Sequence, residues 1–587
     1  MTPAMRTISG SRYLAEALKG YGVTHIFHVP TVAVTAIAEM DELGIVGITA
    51  HGEKAAAYMA DGYARVRKGP GICLCQNIGS TNLAAGLRDA YMAGSPVIAI
   101  TGGTEPMSRG RGFYQEIEDF PTFEPLTKFN AYVEHVKRLP DLLRQAFRVA
   151  TTGAPGPVHL QLQGALGSVL NESLDLDEAA QSFMAEPRFS QVPPFRPRPD
   201  LESVRKALEV IERAERPVIV AGGGVRWSGA GAQLAAFAEK AGIPVATSMT
   251  GKGVIDETSH LAVGVAGNYS RKSANQAVMR ADLVLFIGSQ AGSMVTDRWQ
   301  FPRPGTTVVQ IDIEPSQLGR NYPNAVSIQG DARLALEMLS AEYKQGRDRE
   351  SWVAEASGYV AAWREEEQAR LTSNARPTRP ERLCREVMDF LPDDGVLVSD
   401  TGHSSIWTGR MIDIRPSQTF IRCAGSLGWA LPASIGAKCA AGAKTVVCFT
   451  GDGGFYYHLQ ELETAVRHGI NPIIVVNDNH ALGQDMEIFE HSWGGRDEIT
   501  DVGNKMWKFN DVDLAAVARA LGAFAVRVED PDDLQDALRQ ARASDRPAVV
   551  DVVTDVMALP APPFGSRPYV FPPGRTGGAE KGAGGSR

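Results

Sequence analysis

Long apolar runs, lysine- or arginine-rich blocks and C-x-x-C cysteine pairs are all missing from this 587-residue sequence, and each absence removes a class of function. With no basic stripe and a net charge of −9, a nucleic-acid surface has no electrostatic footprint. No apolar stretch is long enough to span a bilayer. The opening residues MTPAMRTISGSRYLAEALKGYG hold no apolar core flanked by basic residues, so a soluble, cytoplasmic protein with no membrane partner is the expectation. The cysteines number six, and nothing in their spacing calls for an oxidising compartment. Cys73 and Cys75, two apart in GICLC, would share one face of a strand as small buried residues rather than as metal ligands.

What is present is a recurring pattern of short, fully apolar runs, each followed by an alanine-rich amphipathic stretch. THIFHV, GICLC, PVIAIT, PVIVAGGG, LVLFIG, TVVQIDI, GVLVSD, TVVCFT, NPIIVVN and PAVVDVV all read as strands covered on both faces. The fold class is therefore α/β with doubly wound parallel sheets. The proline-rich PRFSQVPPFRPRP (187–199) is expected to lack regular structure, and a second seam lies at SNARPTRP (373–380). These seams divide the chain into α/β units at 1–185, 195–345 and 375–556. A Pro/Gly-rich stretch at 557–587 follows and reads as a flexible tail, in which Phe564, Tyr569 and Phe571 are aromatic enough for a lid.

The segment from Gly451 to Gly483 carries most of the chemistry. The strand TVVCFT ends in Gly451-Asp452-Gly453-Gly454, a helix follows, and the strand PIIVVN ends in Asp478-Asn479-His480. Glycines at a helix start let backbone N–H groups approach phosphate oxygens. Asp452 and Asn479 stand just past the ends of two strands, where an open α/β sheet places ligands, and they offer hard oxygen donors suited to Mg²⁺.

This segment resembles the cofactor signature of thiamin diphosphate (ThDP) enzymes, the superfamily of acetolactate synthase and pyruvate decarboxylase, with Asp478 in place of the first of two closing asparagines. The resemblance implies that Asp452, Asn479 and the backbone oxygen of Ala481 hold Mg²⁺, with Gly453, Gly454, Leu482 and Gly483 around the diphosphate. Gly402-His403-Ser404 resembles the second diphosphate-contacting turn. Ser426 and Leu427, in GSLG, resemble the loop against the aminopyrimidine, with Leu427 as the residue that bends the cofactor. Glu53, after the strand IVGIT and at the head of a small-residue helix, matches the glutamate that activates the aminopyrimidine. The family builds its site between two subunits, with Glu53 from one and Asp452 from the other, so a homodimer or homotetramer is implied.

The reaction is less sharply drawn. GFYQEIEDFPTFEPLTKFNAYV is similar to acetolactate synthases, a resemblance implying that Gln115 would reach the active site as a polar group near the reacting carbons. The stretch after Gly483, Gln484-Asp485-Met486-Glu487-Ile488, lacks the tryptophan with which those enzymes select their second substrate. Asp485 stands where pyruvate decarboxylase-type members carry a catalytic glutamate. FAD, which acetolactate synthases hold in the central domain, is disfavoured by the departure of GSQAGSMVTDRW from the arginine-bearing flavin loop. Gly222-Gly223-Gly224 does not restore it. The expected chemistry is formation or cleavage of a carbon–carbon bond beside the carbonyl of a small-molecule substrate, a 2-keto acid or 2-hydroxy carbonyl compound. The alternatives on the same scaffold are a 2-hydroxyacyl-CoA lyase, with a CoA ester as substrate, and a cyclic-diketone hydrolase. The second is suggested by Phe455-Tyr456-Tyr457-His458, where Tyr456 would face the site and His458 would be structural.

Overall fold

The computed structural model describes residues 5–177, 184–344 and 346–566. Three six-stranded sheets, parallel in every pairing, account for the apolar runs. In space the first runs Val46–Thr49, His25–His28, Gly71–Cys75, Val97–Gly102, Val158–Leu162, Asn130–Val133. The third runs Thr419–Arg422, Val396–Ser399, Val446–Gly451, Ile473–Asp478, Ala548–Val553, Phe524–Val528. Both have the same connectivity, with the chain reversing its direction of growth between the first and third strands it lays down. The central sheet runs Ala262–Val265, Val245–Thr247, Pro217–Ala221, Leu283–Ile287, Thr307–Asp312, Val326–Gln329, the order of dinucleotide-binding folds. Burial explains why these segments are strands: every residue of Gly71–Cys75, Pro217–Ala221 and Leu283–Ile287 is buried, which suits sheets covered by helices on both faces.

The first and third domains share one core. The helix Glu53–Arg67 crosses Ala430–Ala441 so closely that a Cβ on Gly62 would collide with the Ala433 carbonyl, and one on Gly436 with that of Met59. Small residues along both helices permit the approach. Buried polar groups then fix it: Arg65 binds Asp61 and Asp89 and donates to the Arg422 carbonyl, while Trp429 Nε1 donates to Asp61 at 2.9 Å.

Three expectations need correction. Pro187–Ser190, inside the proline-rich seam, forms one 3-10 turn; proline at a first helical position gives up an N–H that would have no partner anyway. The single helix expected after Gly454 is two, Asp452–His458 and Glu461–Arg467, interrupted at Leu459-Gln460. The start of the tail is packed rather than loose. Arg410 donates to the Ala561 carbonyl at 2.7 Å, and Phe564 helps line a cavity of about 380 Å³ with Trp363, Trp407 and Met411. This contact lies at the last turn of His403–Met411, the end of that helix opposite His403. Tyr569 and Phe571 lie outside the described residues.

The first-domain core also supplies a pH dependence. His159 is buried, stacked on Phe123 at 3.6 Å, and bonded to Thr101 and Asn130. Burial pushes its pKa down to about 3. Between about 6.5 and that value the unfolded chain binds a proton that the native ring refuses, so this contribution is complete above about pH 6.5 and is lost as pH falls. In urea unfolding measured from pH 7 to 4, wild type is expected to lose with acid a part of its stability that His159→Gln keeps, a difference in slope of up to about 1.4 kcal/mol per pH unit.

Candidate active site

In the third sheet the strand order reverses between Val396–Ser399 and Val446–Gly451, and the crevice beyond their carboxyl ends is where such sheets take ligands. Asp400 follows the first strand, Asp452 the second, and Asn479 follows the neighbouring Ile473–Asp478. The fully buried Asp400 joins the parts. Its Oδ1 accepts from the N–H groups of Thr401 and Gly428 (2.8 and 3.1 Å), and its Oδ2 from Ala430 N and Thr450 Oγ1 (both 3.2 Å). The Gly402-His403-Ser404 turn and the Ser426-Leu427 loop are thereby held to one carboxylate, whose pKa burial raises to about 6 against those donors.

Asp452 is 2% exposed. Its Oδ1 accepts from Gly453 N and its Oδ2 from Ala481 N, both at 2.8 Å, so two of the three sequence-predicted metal contacts, Asp452 and Ala481, sit together. Ala481 is itself pinned by a short antiparallel contact: Leu482 donates to Trp507 at 2.8 Å and Phe509 to His480 at 2.7 Å. Asp478 does more than add charge nearby. It is buried, its Oδ1 lies 2.9 Å from His480 Nδ1, and its Oδ2 has no hydrogen-bond partner. Single donor atoms of Asp452, Asp478 and His480 fall within 4.8 Å of one another. Burial, then the Asp478 charge, hold the Asp452 carboxyl well above the usual carboxylate range. Two crowded, buried carboxylates, with one oxygen that no hydrogen bond satisfies and only the Arg527 guanidinium 3.8 Å from it, are a donor set that a divalent cation relieves, so the residues present fit the metal.

Asn479 and His403 meet at Gly483: a Cβ there would lie 2.8 Å from the Asn479 amide nitrogen and 3.3 Å from His403 Nδ1. Burial lowers the His403 pKa to about 4, leaving the ring neutral at pH 7. Gly453 and Gly454 are buried at the start of Asp452–His458, with Leu482 against Gly453. Asp485 ends the 3-10 turn Gly483–Asp485, half-buried, with its carboxyl pKa raised by burial. The preceding Gln484 side chain approaches Gly402. Tyr456 packs edge-on against Phe509 at 5.4 Å and near enough to Asp478 and Asp452 that, after burial, their charges raise its phenol pKa. His458 Nδ1 lies 2.8 Å from the Gly428 carbonyl, the structural role expected of it.

The first domain supplies a second constellation. Glu53 begins its helix behind Gly52, and its Oε2 accepts from Asn82 Nδ2 at 3.3 Å. Asn77 Nδ2 donates to the Gln115 carbonyl at 2.6 Å and holds Gln115 at φ +61°, a left-handed conformation costly for a residue with a side chain. The 3-10 turn Asn77–Gly79 and the first turn of the helix Ser80–Ala93 that continues it therefore position both Gln115 and Glu53. Sequence reasoning missed Asn77, Asn82 and Asp400; only Asp400, an acid closing an apolar strand, left a signal. A Cβ on Gly79 would collide with Glu53 Oε1. Gly79→Ala is therefore expected to displace that carboxylate and cut kcat about 10-fold or more while the melting temperature holds, as steady-state kinetics and calorimetry would measure. Among the described residues, no hydrogen bond or ion pair joins Glu53 to Asp452, His403 or Asn479.

Three parts of one family match this chain. The model described as "Thiamine pyrophosphate enzyme, N-terminal TPP binding domain" matches residues 8–122, that of the central domain 204–339, and that of the C-terminal TPP binding domain 400–552. The probable acetolactate synthase large subunit of Methanocaldococcus jannaschii is 31% identical over 575 residues, covering 95% of this chain and 94% of that protein. The chain belongs to the acetolactate synthase family of thiamin diphosphate enzymes. Other members include the acetolactate synthase large subunits of Parasynechococcus marenigrum, 30% identical over 94% of this chain and 88% of its own, and of Lactococcus lactis, 28% identical over 93% and 92%. Membership assigns the shared-core domains to ThDP binding. The central domain lies outside that core. At its switch point Gly222 and Gly224 bond to the backbone around Gly288, Arg226 donates to the Thr250 and Lys252 carbonyls, and Lys252 pairs with the buried Glu257. No helix among the described residues is long and apolar enough to cross a membrane.

Proposed function

We propose that the protein is a Mg²⁺- and ThDP-dependent carboligase and lyase of acetolactate synthase type, acting beside the carbonyl of a 2-keto acid or 2-hydroxy carbonyl substrate. The observation that carries this reading is the Asp452–Asp478 pair, bonded through Asp452 to Ala481 at the mouth of the third sheet. In this reading Asp452, Asn479 and the Ala481 carbonyl hold the metal. Gly402, His403, Ser404, Gly453, Gly454, Leu482 and Gly483 surround the diphosphate. Ser426 and Leu427 lie against the aminopyrimidine. ThDP, when bound, supplies a thiazolium carbon that adds to a carbonyl and stabilises the charge left by carbon–carbon cleavage. Glu53 exchanges a proton with the aminopyrimidine ring, Gln115 orients the substrate through its amide, and Asp485, its carboxyl pKa raised by burial, exchanges a proton at the substrate oxygen.

That no hydrogen bond or ion pair among the described residues joins Glu53 to Asp452, His403 or Asn479 of its own chain is compatible with a site completed by a second copy. Apolar side chains exposed on both halves support it: Met107 and Tyr114 near Gln115, Ile488 and Val502 beyond Asp485. A homodimer is the smallest assembly that meets this need, and a homotetramer is a pair of such dimers. The CoA-ester reading asks for basic residues free to line the central groove. Arg226 and Lys252 are committed to internal partners, so the keto-acid reading is preferred and the central domain is given neither a flavin nor a CoA role.

The test is to incubate the enzyme, ThDP and Mg²⁺ with pyruvate, glyoxylate, benzaldehyde, 1,2-diketones and 2-hydroxyacyl-CoA esters, and to identify products by mass spectrometry. Ligation products from a 2-keto acid are expected. Turnover of the CoA ester alone, or of the diketone alone, would replace this reading with the corresponding alternative.

A further inference from the structure

The two ThDP-binding domains of one chain grip each other through a matched pair of buried acids. From the first domain, Asp89 reaches the loop before Ala430–Ala441, where its carboxylate accepts from Ala424 N (2.8 Å), Gly425 N (3.2 Å) and Ser426 N (3.1 Å) and binds Arg65. From the third domain, Glu461 reaches the turn before Glu53–Arg67. Both of its oxygens lie 3.2 Å from His51 N, and Thr464 Oγ1 fixes Oε2 at 2.8 Å. Glu461 is fully buried, with Gly52 N–H as a further donor. The two helices so served begin their domains' equivalent crossovers, and they cross each other. Asp89 thus sets the aminopyrimidine-facing loop at Ser426, and Glu461 sets the turn that launches Glu53.

We infer that Glu461 is a positioning residue for Glu53, holding the His51-Gly52 turn so that the Glu53 carboxylate is aimed at the cofactor of the site to which it belongs; this rests on the activating role proposed for Glu53. Besides the buried Ala50, which donates to the His28 carbonyl at 2.9 Å, the turn has little else that is buried to hold it. Gly52, the residue ahead of the helix, supplies no side-chain cap. The neighbouring contacts are solvent-exposed or half-buried: His51 with Glu463, Arg467 with the Thr49 carbonyl, and the Lys54 ammonium 5.3 Å over the Tyr457 ring. Exposed contacts of this kind hold a geometry weakly, whereas a buried carboxylate bonded to backbone N–H groups holds it firmly. Glu461 lies nine residues beyond Asp452 in the same chain. One short segment therefore carries a metal ligand for one site and the support for Glu53 of the other.

The test reads proton exchange at the thiazolium carbon of ThDP bound to the full-length, Mg²⁺-loaded enzyme, by quenched deuterium exchange and NMR. Glu461→Ala is expected to slow exchange about 10- to 100-fold, the loss typical of removing an outer support, with ThDP affinity changed less than about threefold. Glu461→Gln keeps an acceptor oxygen without the charge and is expected to fall between wild type and Ala. If the Ala variant fails to fold, the Gln variant carries the test alone. Wild-type exchange in the folded variants overturns the inference, as does a loss that disappears once ThDP is saturating. Glu53→Gln separates the two ideas. Slow exchange there with wild-type exchange in the Glu461 variants overturns the positioning role alone, whereas normal exchange in Glu53→Gln overturns the activation reading and this inference with it.

Discussion

Glu53→Gln is expected to lower kcat by about 100- to 10,000-fold, the range supplied by a positioned acid–base group, while ThDP binding weakens only modestly. The substitution is nearly isosteric, so the close contact with Gly79 and the approach to Asn82 need not change. What it removes is the ability to exchange a proton. The remaining contacts assigned to ThDP lie in the third domain, on Asp452, the His403 turn and the Ser426 loop, none of which bonds to Glu53 among the described residues. Glu53 also opens a helix, where a negative charge is favoured by about 0.3–1 kcal/mol, so the melting temperature should drop by no more than a few degrees. Calorimetric titration of ThDP with Mg²⁺ present, beside steady-state kinetics, separates the terms. Undiminished turnover in a variant that binds ThDP would remove Glu53 from the mechanism.

Much of this fold could be read from the chain because its central strands are buried on both faces and hence apolar throughout. GICLC, LVLFIG and TVVCFT are unmistakable for that reason. The strands that escaped notice are edges or short pieces. Asn130–Val133 and Phe524–Val528 border their sheets and are mostly half-buried, Thr419–Arg422 mixes polar with apolar residues, and Val245–Thr247 has three residues. The candidate site divides in a similar way. Glu53, Asp452 and Asn479 stand out because loop glycines and strand ends flank them locally. Asp89 and Glu461 do not, because their partners are backbone groups far along the chain: Ala424 is 335 residues from Asp89, and His51 is 410 from Glu461. Such side chains look like ordinary polar residues until the sheets are assembled. Asp478 was visible as a departure from the family pattern, but its effect, the crowding of a second buried carboxylate against Asp452, is a property of the fold.

That crowding makes Asp452→Asn informative in opposite directions with and without ligands. In the metal-free protein an ionised Asp452 is buried beside Asp478, with only two N–H donors in compensation. An amide removes the charge but turns one N–H₂ toward a backbone donor, which costs about 1–3 kcal/mol if the group stays unpaired. Relief of the buried charge is of similar size, so the free variant should unfold within about 2 kcal/mol of wild type. Its pH dependence should differ more. A native carboxyl whose pKa is raised keeps a proton that the unfolded chain releases, so its contribution to the stability of the wild-type apoprotein declines as pH rises from about 4, by up to about 1.4 kcal/mol per unit for each such group. The variant should lose the part due to Asp452. It should retain the part due to Asp551, whose pKa burial and the Asp478 charge raise to about 7, so that its decline ends near neutrality. With ligands the order reverses. Mg²⁺ and ThDP at 100 times their dissociation constants should stabilise wild type by about 2.7 kcal/mol, whereas removal of a charged ligand at a cost of about 3–5 kcal/mol leaves the variant nearly unresponsive and nearly inactive. The checks are urea unfolding from pH 5 to 8 without ligands and thermal unfolding at pH 7 with and without Mg²⁺ and ThDP. A ligand-induced rise in melting temperature equal to that of wild type would mean that the metal is held elsewhere and that the buried pair of acids serves another purpose.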